Sequence, residues 1–238
     1  MKTVKFHFYI SGDYDSAISR IIGEVGWLAN RKDILKYCGR KILISHEEVE
    51  FCDRWYPCPD ALFEVGTIFP QQEYIPCPAC VKGVLFSSAT RGNKTGVRFA
   101  PSSEVLKNPE RWISIAVQLP DEVEQRMFDA AKSIEGAGYD YIGVLFKLTP
   151  FDIFQAWWRW YCSEACNWIA SKSDEIIKHP KRWISIAEST IWGREFNVYH
   201  WQRWHKCYSK HRRISPSANL ILMLKNGYKI EDGQIIMP

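Results

Sequence analysis

The 238-residue chain lacks any apolar run approaching the roughly 20 residues that a bilayer-spanning helix needs. Its N-terminus, MKTVKFHFYISGDYDS, carries a lysine and a short β-like run, without the apolar core and small-residue cleavage site of a signal peptide. The expected compartment is therefore the cytoplasm of the cell that makes it. A phage-encoded or virion-borne protein stays open, because such proteins can leave a cell without a signal peptide. Charge of one sign is scarce too: 31 Lys and Arg face 27 Asp and Glu, and a net +4 is too mild to argue for nucleic acid by itself. Repeats are nearly absent. PERWISIA (109–116) returns once, about 70 residues on, as PKRWISIA (180–187), which fits two similar strands or a local duplication and not an array. What remains is ordinary for a soluble globular protein, with 46% apolar and 24% charged residues. The length allows one sizeable core, or one core with a small appendage. The unusual count is eleven tryptophans.

Periodicity supplies a mixed order of elements. Val4–Ile10 (VKFHFYI) reads as a first, edge-like strand, and Lys41–Phe51 (KILISHEEVEF) as a strand carrying His46 in its middle. Between them, Ile18, Ile21, Ile22, Val25 and Leu28 fall at helical spacing over Ser16–Leu28, with Asp15 or Ser16 as cap. Val84–Ser88 and Gly96–Phe99 read as two strands around a polar turn, Trp112–Leu119 as a strand, and Glu122–Ile134 and Cys162–Lys172 as helices. The apolar runs after Leu220 are split by Asn226-Gly227 and Asp232-Gly233, which suggests tight turns between them.

In a reducing compartment the eight cysteines (38, 52, 58, 77, 80, 162, 166 and 207) are expected reduced, metal-bound or catalytic. Cys162 stands where a helix begins. Backbone N–H groups at that end favour a thiolate and can bind an oxyanion. A base must take the proton, and His46 on its strand is the best placed, since His179, His200, His205 and His211 lie in a basic tail. Residue types alone leave the function open at this point, because a cysteine at a helix start is more often structural.

Five blocks resemble, in order, the circularly permuted papain-like hydrolases, the YiiX-type branch of the NlpC peptidase superfamily. They are Ile44-Ser45-His46-Glu47-Glu48-Val49-Glu50; Phe86-Ser87-Ser88 with Arg91-Gly92 and Gly96-Val97-Arg98-Phe99; Gly138-Tyr139-Asp140-Tyr141-Ile142-Gly143; Tyr161-Cys162-Ser163-Glu164; and Arg213-Ile214-Ser215-Pro216. The resemblance implies a single α+β domain over 1–238 with a permuted papain-like fold, in which the nucleophile helix packs against an antiparallel sheet carrying the histidine. It implies acyl transfer with Cys162 as nucleophile and His46 as base. Glu48, two residues after His46 and so on the same strand face, is the matching orienting residue. Ser87 or Ser88 are the alternatives, and otherwise line the substrate site with Trp160. Glu64 falls in an insertion and matches less well. Tyr139 corresponds to a tyrosine that positions substrate or completes the oxyanion site. Cys166, one helical turn beyond Cys162, reads as a small core residue before it reads as a redox partner. Relatives act on peptidoglycan peptides, other amides or lipid esters.

Two segments depart from that pattern. Residues 52–82 are proline-rich and hold Cys52, Cys58, Cys77 and Cys80, whose spacing fits a four-thiolate structural zinc site, with Cys38 as a substitute ligand; unliganded thiols are the competing reading. Residues 174–213 are basic and aromatic. Their end, HWQRWHKCYSKHRR (200–213), offers a surface for a membrane or nucleic acid, against a plain solvated helix face. Phe151, Phe154, Trp157, Trp158 and Trp160 form an aromatic cluster just before Cys162. The functions to weigh are a peptidase or amidase, an idle papain-like binding or phage structural module, and a lipid-directed acyl hydrolase or acyltransferase. The presence of both His46 and Cys162 favours the first and third. No cofactor is expected for catalysis.

Overall fold

Strand β1 (Lys2–Ile10) sets the geometry by strict alternation. Val4, Phe6 and Phe8 point to one face, and Lys5, His7 and Tyr9 to the other. A computed structural model describes residues 1–13, 15–56, 81–87, 96–140, 159–173 and 215–231. In it β1 is flanked on both sides by antiparallel partners, β2 (Ile44–Tyr56) and β5 (Trp112–Leu119). The expected edge position of β1 is thus incorrect: both its neighbours arrive from far along the chain. Strands β3 (Val81–Ser87) and β4 (Arg98–Pro101) complete a five-stranded antiparallel sheet in the order β4-β3-β2-β1-β5.

The apolar face carries the larger core. Val4, Phe6, Phe8, Val49, Phe51, Ile113 and Ile115 meet side chains from α1 (Ala17–Cys38), α3 (Asp121–Lys132), α4 (Cys162–Ala170) and α5 (Pro216–Lys225). The opposite face holds a smaller cluster of Leu85, Ala100 and Trp112 with Val105 of the one-turn helix α2 (Ser102–Val105). The protein is thus a mixed α and β fold, with helices packed on an antiparallel sheet. Among the described residues no helix is long and apolar enough to cross a membrane.

Three elements differ from their expected bounds. Helix α1 is capped by Ser16, whose Oγ accepts from Ser19 N, and runs past Leu28 to Cys38, because Asn30, Ile34 and Cys38 continue its buried face until Gly39 turns left-handed (φ 72°). Strand β2 does not stop at Phe51. A register shift between Phe51 and Trp55 breaks the alternation, after which Trp55 pairs with Lys82 and Tyr56 with Val81. The ends of the 52–82 insertion are therefore strand, and residues 57–80 lie outside the described residues. Finally, the LILML run belongs to helix α5 and not to a strand before a turn. Ser215 Oγ caps it through Ala218 N, Pro216 occupies its first turn, and nearly every side chain is buried, which erases the periodicity that marks a helix.

Candidate active site

Cys162 is the first residue of α4. The chain reaches it through the short strand β7 (Arg159–Trp160), which pairs parallel with β6 (Gly138–Tyr139), and Asp140 N donates to Trp160 O at 3.1 Å. Tyr161 is extended (φ −105°, ψ 167°), and Ala165 N donates back to its carbonyl, opening the helix. The thiol therefore sits in the first turn, where the helix dipole favours negative charge. It is buried and hydrogen-bonded to His46.

His46 is the third residue of β2, opposite Tyr9, with its ring set edge-on to Trp112 at 6.4 Å between centroids. Its Nε2 lies 2.8 Å from Glu48 Oε1, which leaves Nδ1 as the nitrogen available to the thiol. Burial works against charge on this imidazole and is the largest single influence. The negative charge and hydrogen bond of Cys162, joined by those of Glu48, outweigh it and raise the imidazole from its usual range to about 10. The geometry thus favours a thiolate–imidazolium pair.

Glu48 is fully buried, and its Oε1 also accepts from Ser87 Oγ at 2.6 Å. The residues expected to act together, Cys162, His46 and Glu48, are brought together. Ser87 has no exposed surface, and its hydroxyl donates to Glu48 Oε1, which places it beside the orienting carboxylate. Trp160 is likewise buried, tilted against Trp168 at 6.0 Å. Tyr139 is half-buried beside Trp160 in the parallel pair, two residues from Cys162 in projection. Ser88, Glu64, residues 151–158, the second PKRWISIA copy and the basic segment at 174–213 lie outside the described residues.

Cys166 behaves as a core residue. Its Sγ donates to Glu47 O at 3.4 Å, and burial pushes the thiol well above its usual range. Of the expected zinc ligands, Cys52 sits on β2 beside Glu50. Burial, then the charge of Glu50, push its thiol up to about 12. Cys58, Cys77 and Cys80 lie outside the described residues. Cys38 is packed in the helix-side core, on the other face of the sheet from the Cys52–Glu50 contact. Among the described residues no group of three or more His, Cys, Asp or Glu is arranged to hold a metal.

Two buried arrangements around the site were not legible in advance. Asn219 of α5 donates to Glu47 Oε2 at 2.6 Å, directly behind the strand that carries His46 and Glu48. An asparagine inside the apolar run SANLILML is the signal that points to such a buried partner. On the other face, His7 Nδ1 lies 2.7 Å from Ser114 Oγ and its Nε2 lies 2.9 Å from Glu50 Oε2, which together satisfy a histidine that the core would otherwise exclude.

No protein-family model matches this chain, and neither the curated proteins nor the solved structures contain a match.

Proposed function

We propose that the protein is a thiol hydrolase of the permuted papain-like kind, acting on an amide of peptide or peptidoglycan type through an acyl-enzyme. One observation carries the reading: a cysteine at a helix start is hydrogen-bonded to an imidazole whose other nitrogen is held by a buried carboxylate. That is the nucleophile, base and orienter relation of a catalytic triad, recognised by geometry and not by sequence position. The order of the five resembling blocks, histidine before cysteine, supports the permuted family over an unrelated arrangement.

In the proposed reaction the Cys162 thiolate attacks the carbonyl carbon and forms a C–S bond. The oxyanion is met by backbone N–H groups of the first turn of α4. The carbonyl reforms as the C–N bond breaks, and the proton held by His46 passes to the leaving amine. Water, deprotonated by His46, then attacks the thioester, and the C–S bond breaks to regenerate the pair. Glu48 keeps the imidazole in one orientation, and Ser87 keeps Glu48 in place.

Alkylation by iodoacetamide near pH 6 tests this. An ion-paired Cys162 reacts ahead of Cys207 and the other cysteines by about tenfold or more, and His46→Ala removes the advantage. Reaction of Cys162 no faster than Cys207 sinks the proposal and leaves an idle binding module. With reactivity established, peptide amides and lipid esters are offered in turn, and the mass of the adduct on Cys162 identifies the acyl donor accepted.

A further inference from the structure

Helix α1 is amphipathic the wrong way round for a solvated surface helix. Its buried face is built from Gly23, Gly26, Trp27, Asn30, Ile34 and Cys38. Its outer face carries Ile18, Ile21, Leu28 and Leu35, which are 46%, 51%, 62% and 42% exposed. Ile18, Ile21, Val25 and Leu28 repeat at three and four residues and form one stripe up to the kink at Asn30, and Leu35 follows beyond it. Single exposed aliphatics need no explanation, but here four of the seven large exposed hydrophobics among the described residues lie on this one helix.

The charges beside the ridge are mostly basic, with Glu24, partly exposed between Ile21 and Leu28, as the exception. Arg20, Arg31, Lys32 and Lys36 are exposed. The helix's only acids are engaged elsewhere, Glu24 with Lys41 at 2.9 Å and Asp33 with Lys225 at 2.7 Å. A second copy of this face would bring like charges together. The chain's own 200–213 segment is basic as well, with five Lys or Arg and no acid, and repels it in the same way. A surface both apolar and anionic satisfies ridge and flanks at once.

We infer that the outer face of α1 docks the protein peripherally on an anionic lipid bilayer. The inner side of the same helix is tied to the strand of the candidate site: Ser19 Oγ in the first turns of α1 donates to Ser45 Oγ at 2.8 Å, next to His46.

Vesicle flotation of the full chain tests the inference, with phosphatidylcholine vesicles made with and without phosphatidylglycerol. The protein floats with the anionic vesicles and stays down with the neutral ones. Both Ile21→Ser/Leu28→Ser and Lys32→Glu/Lys36→Glu reduce the bound fraction about tenfold or more. All four side chains are exposed, so the thermal midpoint stays close to that of the parent, and the charge variant answers the question should the serine variant fold poorly. Three results overturn the inference: no flotation of the parent chain, flotation that both variants leave unchanged, or a dimer by light scattering that Ile21→Ser/Leu28→Ser dissociates. Cys162 alkylation is read on the same samples, so failure of the membrane inference and failure of the hydrolase proposal are seen separately.

Discussion

At the scale of single residues, Glu48 adds to the larger influence of Cys162 in holding the proton on the imidazole. It supplies both a hydrogen bond and a negative charge to His46, whose proton is held to about 10. Glu48→Gln keeps an acceptor oxygen but removes the charge. The expected outcome is an imidazolium lost at a pH below about 10, followed by NMR titration of His46, while Cys162 alkylation near pH 6, where the imidazole is protonated in both proteins, changes by less than about threefold. The same pair predicts a stability profile. A folded-state value raised above the unfolded 6.5 means that protonated His46 stabilises the fold fully below that pH, and that the contribution is lost as pH rises through about 10. Between about pH 8.5 and about pH 10 the unfolded thiols of Cys52 and Cys166 also ionise while the folded ones, raised by burial, do not, so they add a decline of their own. Urea midpoints across that window decline more steeply in the parent than in His46→Ala/Cys162→Ala.

Between elements, the active pair depends on how α4 is held against β2. Glu47 is fixed from two helices, through its carbonyl by Cys166 of α4 and through its carboxylate by Asn219 of α5. Asn219→Ala removes a donor from a buried carboxylate, so a loss of about 2–3 kcal/mol of unfolding free energy is expected, measured by urea titration. Asn219→Asp is costlier still, because it sets two carboxylates together. This clamp marks where the sequence stopped being legible. His46, Glu48 and Cys162 were readable because each depends on local order: alternation along a strand, the start of a helix, and the sequence of blocks. The partnership of Glu47 and Asn219 spans 172 residues and leaves only a polar residue in an apolar run as its trace. The same burial that makes α5 a core helix removed its periodicity, and the bulge after Phe51 hid the second half of β2. For Ser87 the sequence leaves two roles open, because a hydroxyl facing a carboxylate and one facing a cleft look alike in sequence.

For the whole molecule, the cysteine-rich segment is best seen as an excursion from the end of a hairpin. Tyr56 and Val81 are already paired antiparallel, so the sheet is closed before the segment begins. A two-residue turn can join such a pair, and the cost of closing a loop changes only slowly with its length. Replacing residues 57–80 with Asn-Gly should therefore leave the sheet folded and the alkylation rate of Cys162 within about threefold of the parent. The same change removes Cys58, Cys77 and Cys80, three of the four proposed zinc ligands. The remaining one, Cys52, is a single thiol and does not make a four-thiolate site by itself. Mass-spectrometric metal analysis after chelator washing should then find about one zinc per intact chain and none in the shortened one. Less than about 0.2 equivalents in the intact chain rules out the zinc site. A shortened chain that folds but loses Cys162 reactivity assigns the segment to the active site and not to an independent knuckle.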